Sequence, residues 1–182
     1  MAEPSTIAAR RGRDLRVVGL VVTVLLVAGG GYLLDRWIND SGEPGLKAHV
    51  DQKRKEEIDI RFKQGVIMLH AKEYEHAMTA FSRVLDLAPG MPEAHANMGF
   101  AMIGVQRYPA ARDFFNAATE LNVNQLNAYY GLALALEGLN DLPGAMGAMQ
   151  TYMHLSRADD PFRAKAENAL QKWRAVARPA PN

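Results

Sequence analysis

The stretch Lys72–Pro89, KEYEHAMTAFSRVLDLAP, returns as QRYPAARDFFNAATELNV at Gln106–Val123 and as NDLPGAMGAMQTYMHLSR at Asn140–Arg157. Aligned, the three place Ala77, Ala111 and Ala145 at a constant step of 34 residues. The same step relates Tyr74, Tyr108 and Leu142, then Phe81, Phe115 and Met149, and upstream Gly65, Gly99 and Ala133. A fixed period of this size marks stacked supersecondary units, none of which buries its apolar face alone. Each unit reads as a helix bearing glycine or alanine followed by a second helix that opens on the aromatic-to-alanine pair. The small residues let two helix axes approach, and the aromatic rings fill the wedge between units.

Local chemistry sets the helix limits. Pro109 and Pro143 fall in the first turn of a second helix, where the missing N–H costs nothing. Pro89 and Pro92 punctuate the link between the first two units. Asp159, Asp160 and Pro161 read as the start of a last helix, with Ala166, Ala169, Leu170, Trp173 and Val176 on its apolar stripe. The expected organisation is three units at 58–91, 92–125 and 126–159, a capping helix at 160–176 and a flexible tail at 177–182.

The chain resembles the tetratricopeptide repeat family at Gly65, Tyr74, Ala77, Phe81 and Pro89, and again at Gly99, Tyr108, Ala111, Phe115 and Ala118. In the third unit Ala133, Leu142, Ala145 and Met149 keep size and polarity rather than identity. The resemblance implies an all-α helical solenoid whose concave face, lined by the first helix of each unit, holds a polypeptide. Carried over position by position, it implies a peptide-binding groove made by Phe62, Val66 and Leu69, by Ala96, Phe100 and Ile103, and by Tyr130 and Leu134. Asp59, Glu93, Asn127 and Glu137 would form its rim, and His70, Gly104 and Gly138 fall at further groove positions. The family's branch that clamps a terminal carboxylate needs lysine and asparagine at such places; Val66, Phe100 and Leu134 stand there instead. An amphipathic helix or an extended apolar segment is therefore the expected occupant, and Phe100→Glu is expected to remove peptide capture while leaving melting nearly unchanged. Coverage of the groove by the chain itself, or by a second copy, is the competing expectation, so a homo-oligomer stays among the candidate partners.

The amino-terminal end predicts an anchor. Val17–Leu34 is an uncharged run of 18 residues, which as a helix rises about 27 Å. Arg10, Arg11, Arg13 and Arg16 precede it, while Asp35, Asp40 and Glu43 follow it against Arg36 alone. Those flanks predict a basic cytoplasmic tail at 1–16, a single transmembrane helix at 17–38, and everything beyond on the far side. A cleavable signal peptide with Ala28, Gly29 and Gly30 at its cleavage site is the alternative. Residues 39–57 read as a hinge and a charged juxtamembrane helix.

Composition excludes several functions. A net charge of +1 gives no electrostatic footprint for nucleic acid, and the absence of cysteine removes disulfides, thiolate metal ligands and a thiol nucleophile. His49, His70, His76, His95 and His154 keep no metal-ligand spacing, and the carboxylate pairs Glu56–Glu57 and Asp159–Asp160 sit in solvated or capping contexts. No catalytic residue, metal or cofactor is expected, and the methionines read as packing between helices. The expected protein is thus a scaffold or assembly chaperone of the bacterial inner membrane, its domain in the periplasm and its partner another polypeptide. This layout resembles the tetratricopeptide subunits of cytochrome c maturation. A structural or accessory subunit of an inner-membrane complex such as the secretory translocon is the alternative.

Overall fold

The computed structural model describes residues 44–177. The expected tail at 1–16, the expected span at 17–38, the residues just after it and the last five residues lie outside that range. Seven helices and no strand occur among the described residues: α1 (Pro44–His70), α2 (Tyr74–Leu87), α3 (Pro92–Gly104), α4 (Tyr108–Leu121), α5 (Leu126–Gly138), α6 (Leu142–Leu155) and α7 (Arg163–Ala177). The chain divides into two compact units, residues 1–52 and 53–182, and the repeats lie within the second.

One expectation is corrected here. None of the helices among the described residues is long and apolar enough to cross a membrane. The longest, α1, carries Lys53, Arg54, Lys55, Glu56 and Glu57 through its middle, and burying such charges in hydrocarbon is costly. The inner-membrane and periplasmic placement therefore drops out of the account.

The repeats are built from two kinds of helix. In α2 and α4 one stripe is buried, Ala77, Ala80, Phe81 and Val84 in the first and Ala111, Phe115 and Ala118 in the second. In α3 and α5 the buried set is mostly alanine and glycine: Ala94, Ala96, Gly99 and Ala101 in α3, then Ala128, Gly131, Ala133 and Ala135 in α5. The difference follows from position. A first helix packs against its own partner, the preceding unit and the next first helix, so small side chains are needed nearly all round. A second helix meets neighbours on one side only.

Close approach decides two glycines above all. A Cβ added at Gly65 would lie 2.6 Å from Phe81 Cε1, and one at Gly99 would lie 2.7 Å from Phe115 Cζ. Both rings are fully buried. The step of 34 residues thus preserves a ring-on-glycine contact within each of the first two units. Gly104 and Gly138 repeat the device between units, beneath the rings of Tyr74 and Tyr108.

Each turn between the two helices of a unit closes the same way. Lys72, Gln106 and Asn140 adopt left-handed conformations with φ of 61°, 58° and 60°. In the first unit Glu73 N–H bonds to Met68 O at 2.9 Å and Lys72 N–H to Leu69 O at 3.1 Å. This pair of bonds is the Schellman ending, which satisfies the last carbonyls of the first helix. Gln106 and Arg107 repeat it in the second unit, Asn140 and Asp141 in the third. Asparagine tolerates φ > 0 better than glutamine or lysine does. Gln106→Gly is therefore expected to be neutral or to stabilise by up to about 1 kcal/mol, whereas Gln106→Val should cost about 1–2 kcal/mol. Thermal melts of the two variants check this.

The array ends on α7. Ala166, Leu170 and Trp173 bury against Met149 and Tyr152 of α6. Trp173 Nε1 donates to Glu137 Oε1 at 2.7 Å, and Lys172 Nζ donates to the same oxygen at 3.1 Å. Two details differ from expectation. The helix begins at Arg163 rather than 160, because Asp160 closes a turn on Phe162 N–H (2.8 Å) before the helix starts. Val176 is 67% exposed, since α7 outruns the face that it covers.

Candidate functional site

A cleft of about 620 Å³ opens across the three repeats. The first repeat contributes the end of α1 and its turn, through Leu69, His70 and Lys72, and the first residue of α2, Tyr74. From α3 come Asn97 and Phe100, from α5 Leu126, Asn127 and Tyr130, and from α6 Tyr152. The loop before α7 completes the wall with Asp160 and Phe162.

Aromatic rings hold its shape. Phe100 stands edge-on to Phe115 with centroids 5.0 Å apart. Tyr130 packs at 5.4 Å against Tyr152 and at 5.9 Å against Phe162. The Tyr152 hydroxyl donates to Asp160 Oδ1, which also accepts from Phe162 N–H at 2.8 Å. Burial pushes the Tyr152 phenol well above its usual range, with the hydrogen bond to Asp160 adding to the effect. The same bond, helped by Phe162 N–H, holds the Asp160 carboxyl below the usual carboxylate range. Burial, with Glu137 second, also raises Tyr130.

Asp160 therefore links the cleft to acid stability. A depressed folded-state pKa means that its contribution is complete above about pH 4 and is lost as pH falls through the depressed value. Melting temperature measured through the acid range should decline more steeply for the native chain than for Asp160→Asn, which keeps the acceptor oxygen without the charge.

Of the groove residues expected from the sequence, Leu69, His70, Phe100, Asn127 and Tyr130 line the cleft together. The others lie elsewhere. Phe62 and Val66, both half-buried, pack against the first core cluster, Phe62 edge-on to Phe81 at 5.9 Å. Ala96 has no exposed surface, and Ile103, half-buried, packs beside it in the second cluster and does not line the cleft. Leu134 is half-buried and does not line the cleft. On the expected rim, Asp59 is exposed and pairs with Lys63 at 2.7 Å. Glu93 is exposed at the start of α3, and Glu137 is taken by Trp173 and Lys172 of the capping helix. Sequence reasoning missed Tyr74, Asn97, Tyr152, Asp160 and Phe162 because it searched fixed positions of first helices only. The walls from second helices and from the capping loop carried a weaker signal, the aromatic Phe162 directly after Pro161. Phe100 also differs from expectation: its packing on Phe115 means that Phe100→Glu disturbs the core as well as the cleft.

A second cavity, about 460 Å³, lies between α1 and α2, with Arg61, Glu73, His76 and Arg83 beside Met68 and Ala80 on its wall. Its charges are met from within: Arg83 pairs with Glu57 at 2.8 Å and His76 with Glu73 at 3.2 Å. That hydrogen bond to Arg83 lowers the Glu57 pKa. Among the described residues no group of three His, Cys, Asp or Glu side chains is placed to hold a metal ion.

The geometry defines a class, a helical-repeat array with an aromatic cleft across its units. Comparison with known proteins finds the same repeat over part of the chain. Residues 68–136 match the family model described as tetratricopeptide repeat. The BBSome complex member BBS4 of Xenopus tropicalis is 30% identical over 95 residues, which is 52% of this chain and 18% of that protein. The chain thus spans less than a fifth of that relative's length. Among solved structures, the first TPR of Spaghetti (RPAP3), bound to the HSP90 peptide SRMEEVD, superimposes with a TM-score of 0.62 at 21% identity, covering 68% of this chain and 95% of that one. The Yersinia enterocolitica type III secretion chaperone SycD, in complex with a peptide of the translocator YopD, gives 0.61 at 12% identity, covering 66% and 94%. Over residues 68–136 the chain is thus similar to the tetratricopeptide repeat family, and the solved structures share its fold.

Proposed function

We propose that this chain is a protein-interaction module, a scaffold or chaperone rather than a catalyst, that holds a peptide segment of a partner protein in the cleft. The observation that carries this reading is the cleft itself: about 620 Å³ crossing all three repeats, with Phe100, Tyr130 and Phe162 presented from separate elements. Rigid rings offer large contact area at low entropic cost, and truncating such anchors typically costs 2 kcal/mol or more, on the order of a 30-fold loss. Peptides held by RPAP3 and SycD support the same use of the fold. A link to cytochrome c maturation rested on a membrane-anchored layout and forms no part of the proposal.

Selection of random dodecapeptides on the full chain tests it. Phe162 is 50% exposed, so Phe162→Ala should change stability by less than about 1 kcal/mol. It should weaken the selected peptides about tenfold or more. Selected peptides that bind Phe162→Ala and the native chain equally would place the site elsewhere.

A further inference from the structure

The charged groups of the cleft are unevenly placed along the stacking order of the helices. Lys72 comes from the first repeat, whereas Asp160 comes from the loop after the third, with the uncharged side chains Asn97 and Phe100 contributed by the repeat between. Asp160 is fixed by its neighbours, and none of them forms an ion pair with it. The Tyr152 hydroxyl and Phe162 N–H both donate to Oδ1, which leaves Oδ2 to accept from a ligand. The Arg163 charge helps hold the Asp160 carboxyl down but forms no bond to it: its Nη1 donates instead to Met153 O at 2.8 Å, Ser156 O at 3.0 Å and Ser156 Oγ at 2.9 Å. No ion pair to Asp160 forms among the described residues. Beside it, Lys165 Nζ stands 5.3 Å from the centroid of the Phe162 ring, so that ring already receives a cation on one face.

Resting on the reading that the cleft holds a peptide, we infer that its occupant carries a lysine or arginine next to an apolar side chain, the cation meeting Asp160 Oδ2 and the apolar group lying on Tyr130 and Phe162. Lys72 repels a second cation at the other end and so sets the direction in which the segment lies. A carboxylate anchored by two donors needs no reorganisation to accept a third, and the partly enclosed wall strengthens the charge-assisted bond. The chemistry is opposite in sign to that of the acidic peptide SRMEEVD held by the RPAP3 domain.

The test is a second selection of random dodecapeptides, run in parallel on the full native chain and on Asp160→Asn. Asparagine keeps an acceptor for the Tyr152 hydroxyl and Phe162 N–H, and a melt verifies that the variant is folded. Peptides from the native chain should be enriched in lysine or arginine beside an apolar residue, and those from the variant should keep the apolar residue without the cation preference. For a synthetic native-selected peptide, Lys→Gln in the peptide should cost about tenfold on the native chain and nearly nothing on Asp160→Asn. That second comparison uses the unaltered protein as its reference, so a destabilised variant cannot mimic it. Equal cation preference on both proteins, or enrichment of acidic residues on the native chain, overturns the inference while leaving the cleft as the site. Peptides indifferent to Phe162→Ala overturn both.

Discussion

Gly131→Val is expected to lower the melting temperature by about 10 °C or more, equivalent to roughly 3 kcal/mol in a unit of this size. The reason is one ring. Phe115 has no exposed surface and lies against two glycines at once, Gly99 of its own unit and Gly131 of the next. A Cβ at Gly131 would meet the Cε1 and Cζ atoms of that ring, and the ring has nowhere to go: Phe100 holds it from one side at 5.0 Å, while Ala96, Ala111 and Ala128 pack around it. Strain at this point acts on the joint between repeats, which carries the nearest-neighbour coupling of a one-dimensional array. Pairing Gly131→Ala with Phe115→Leu should restore part of the loss that Gly131→Ala causes alone, a coupling that scanning calorimetry of the two singles and the double would read. Additive losses would mean that ring and glycine do not oppose each other.

Trp173→Ala is expected to cost about 3–5 kcal/mol, the range for deleting a large buried aromatic side chain. Trp173 is 1% exposed and is the largest buried side chain of the last cluster. It also carries the indole N–H that satisfies Glu137 Oε1, so its loss leaves that carboxylate with the exposed Lys172 alone. Undocking of α7 then uncovers Met149 and Tyr152, and the cleft loses the wall that Asp160 and Phe162 supply. Lys172→Ala is the control: an ion pair whose lysine is 71% exposed should contribute under about 1 kcal/mol. Denaturant melts of both variants, with peptide binding measured on the folded fraction, separate the two effects.

The stacking was legible in the chain because its physical causes repeat at one stride. A ring against a glycine leaves Phe81 with Gly65 and Phe115 with Gly99, and any reader of the spacing meets both pairs. Prolines in the first turns of α3, α4 and α6 marked their starts for an equally local reason. The turn endings were hidden. Only Asn140 advertises a left-handed residue, while Lys72 and Gln106 adopt the same φ without the usual glycine or asparagine. The cleft was half legible. Leu69, Phe100, Asn127 and Tyr130 sit where first-helix positions point, but Phe62 and Val66, half-buried against the Phe81 cluster, do not line the cleft. Glu137 left the rim for a reason no repeat position encodes, the indole of a helix beyond the repeats.

The most direct test of the cleft as the binding surface is a methyl-labelled NMR titration of the full chain with a peptide selected on it. Leu69 and Leu126 line the cleft, whereas Ile60 and Ile67 lie exposed on α1 at 62% and 64%. Binding in the cleft predicts shifts at Leu69 and Leu126 with Ile60 and Ile67 unmoved. Shifts at Ile60 and Ile67 with the cleft methyls silent would contradict it.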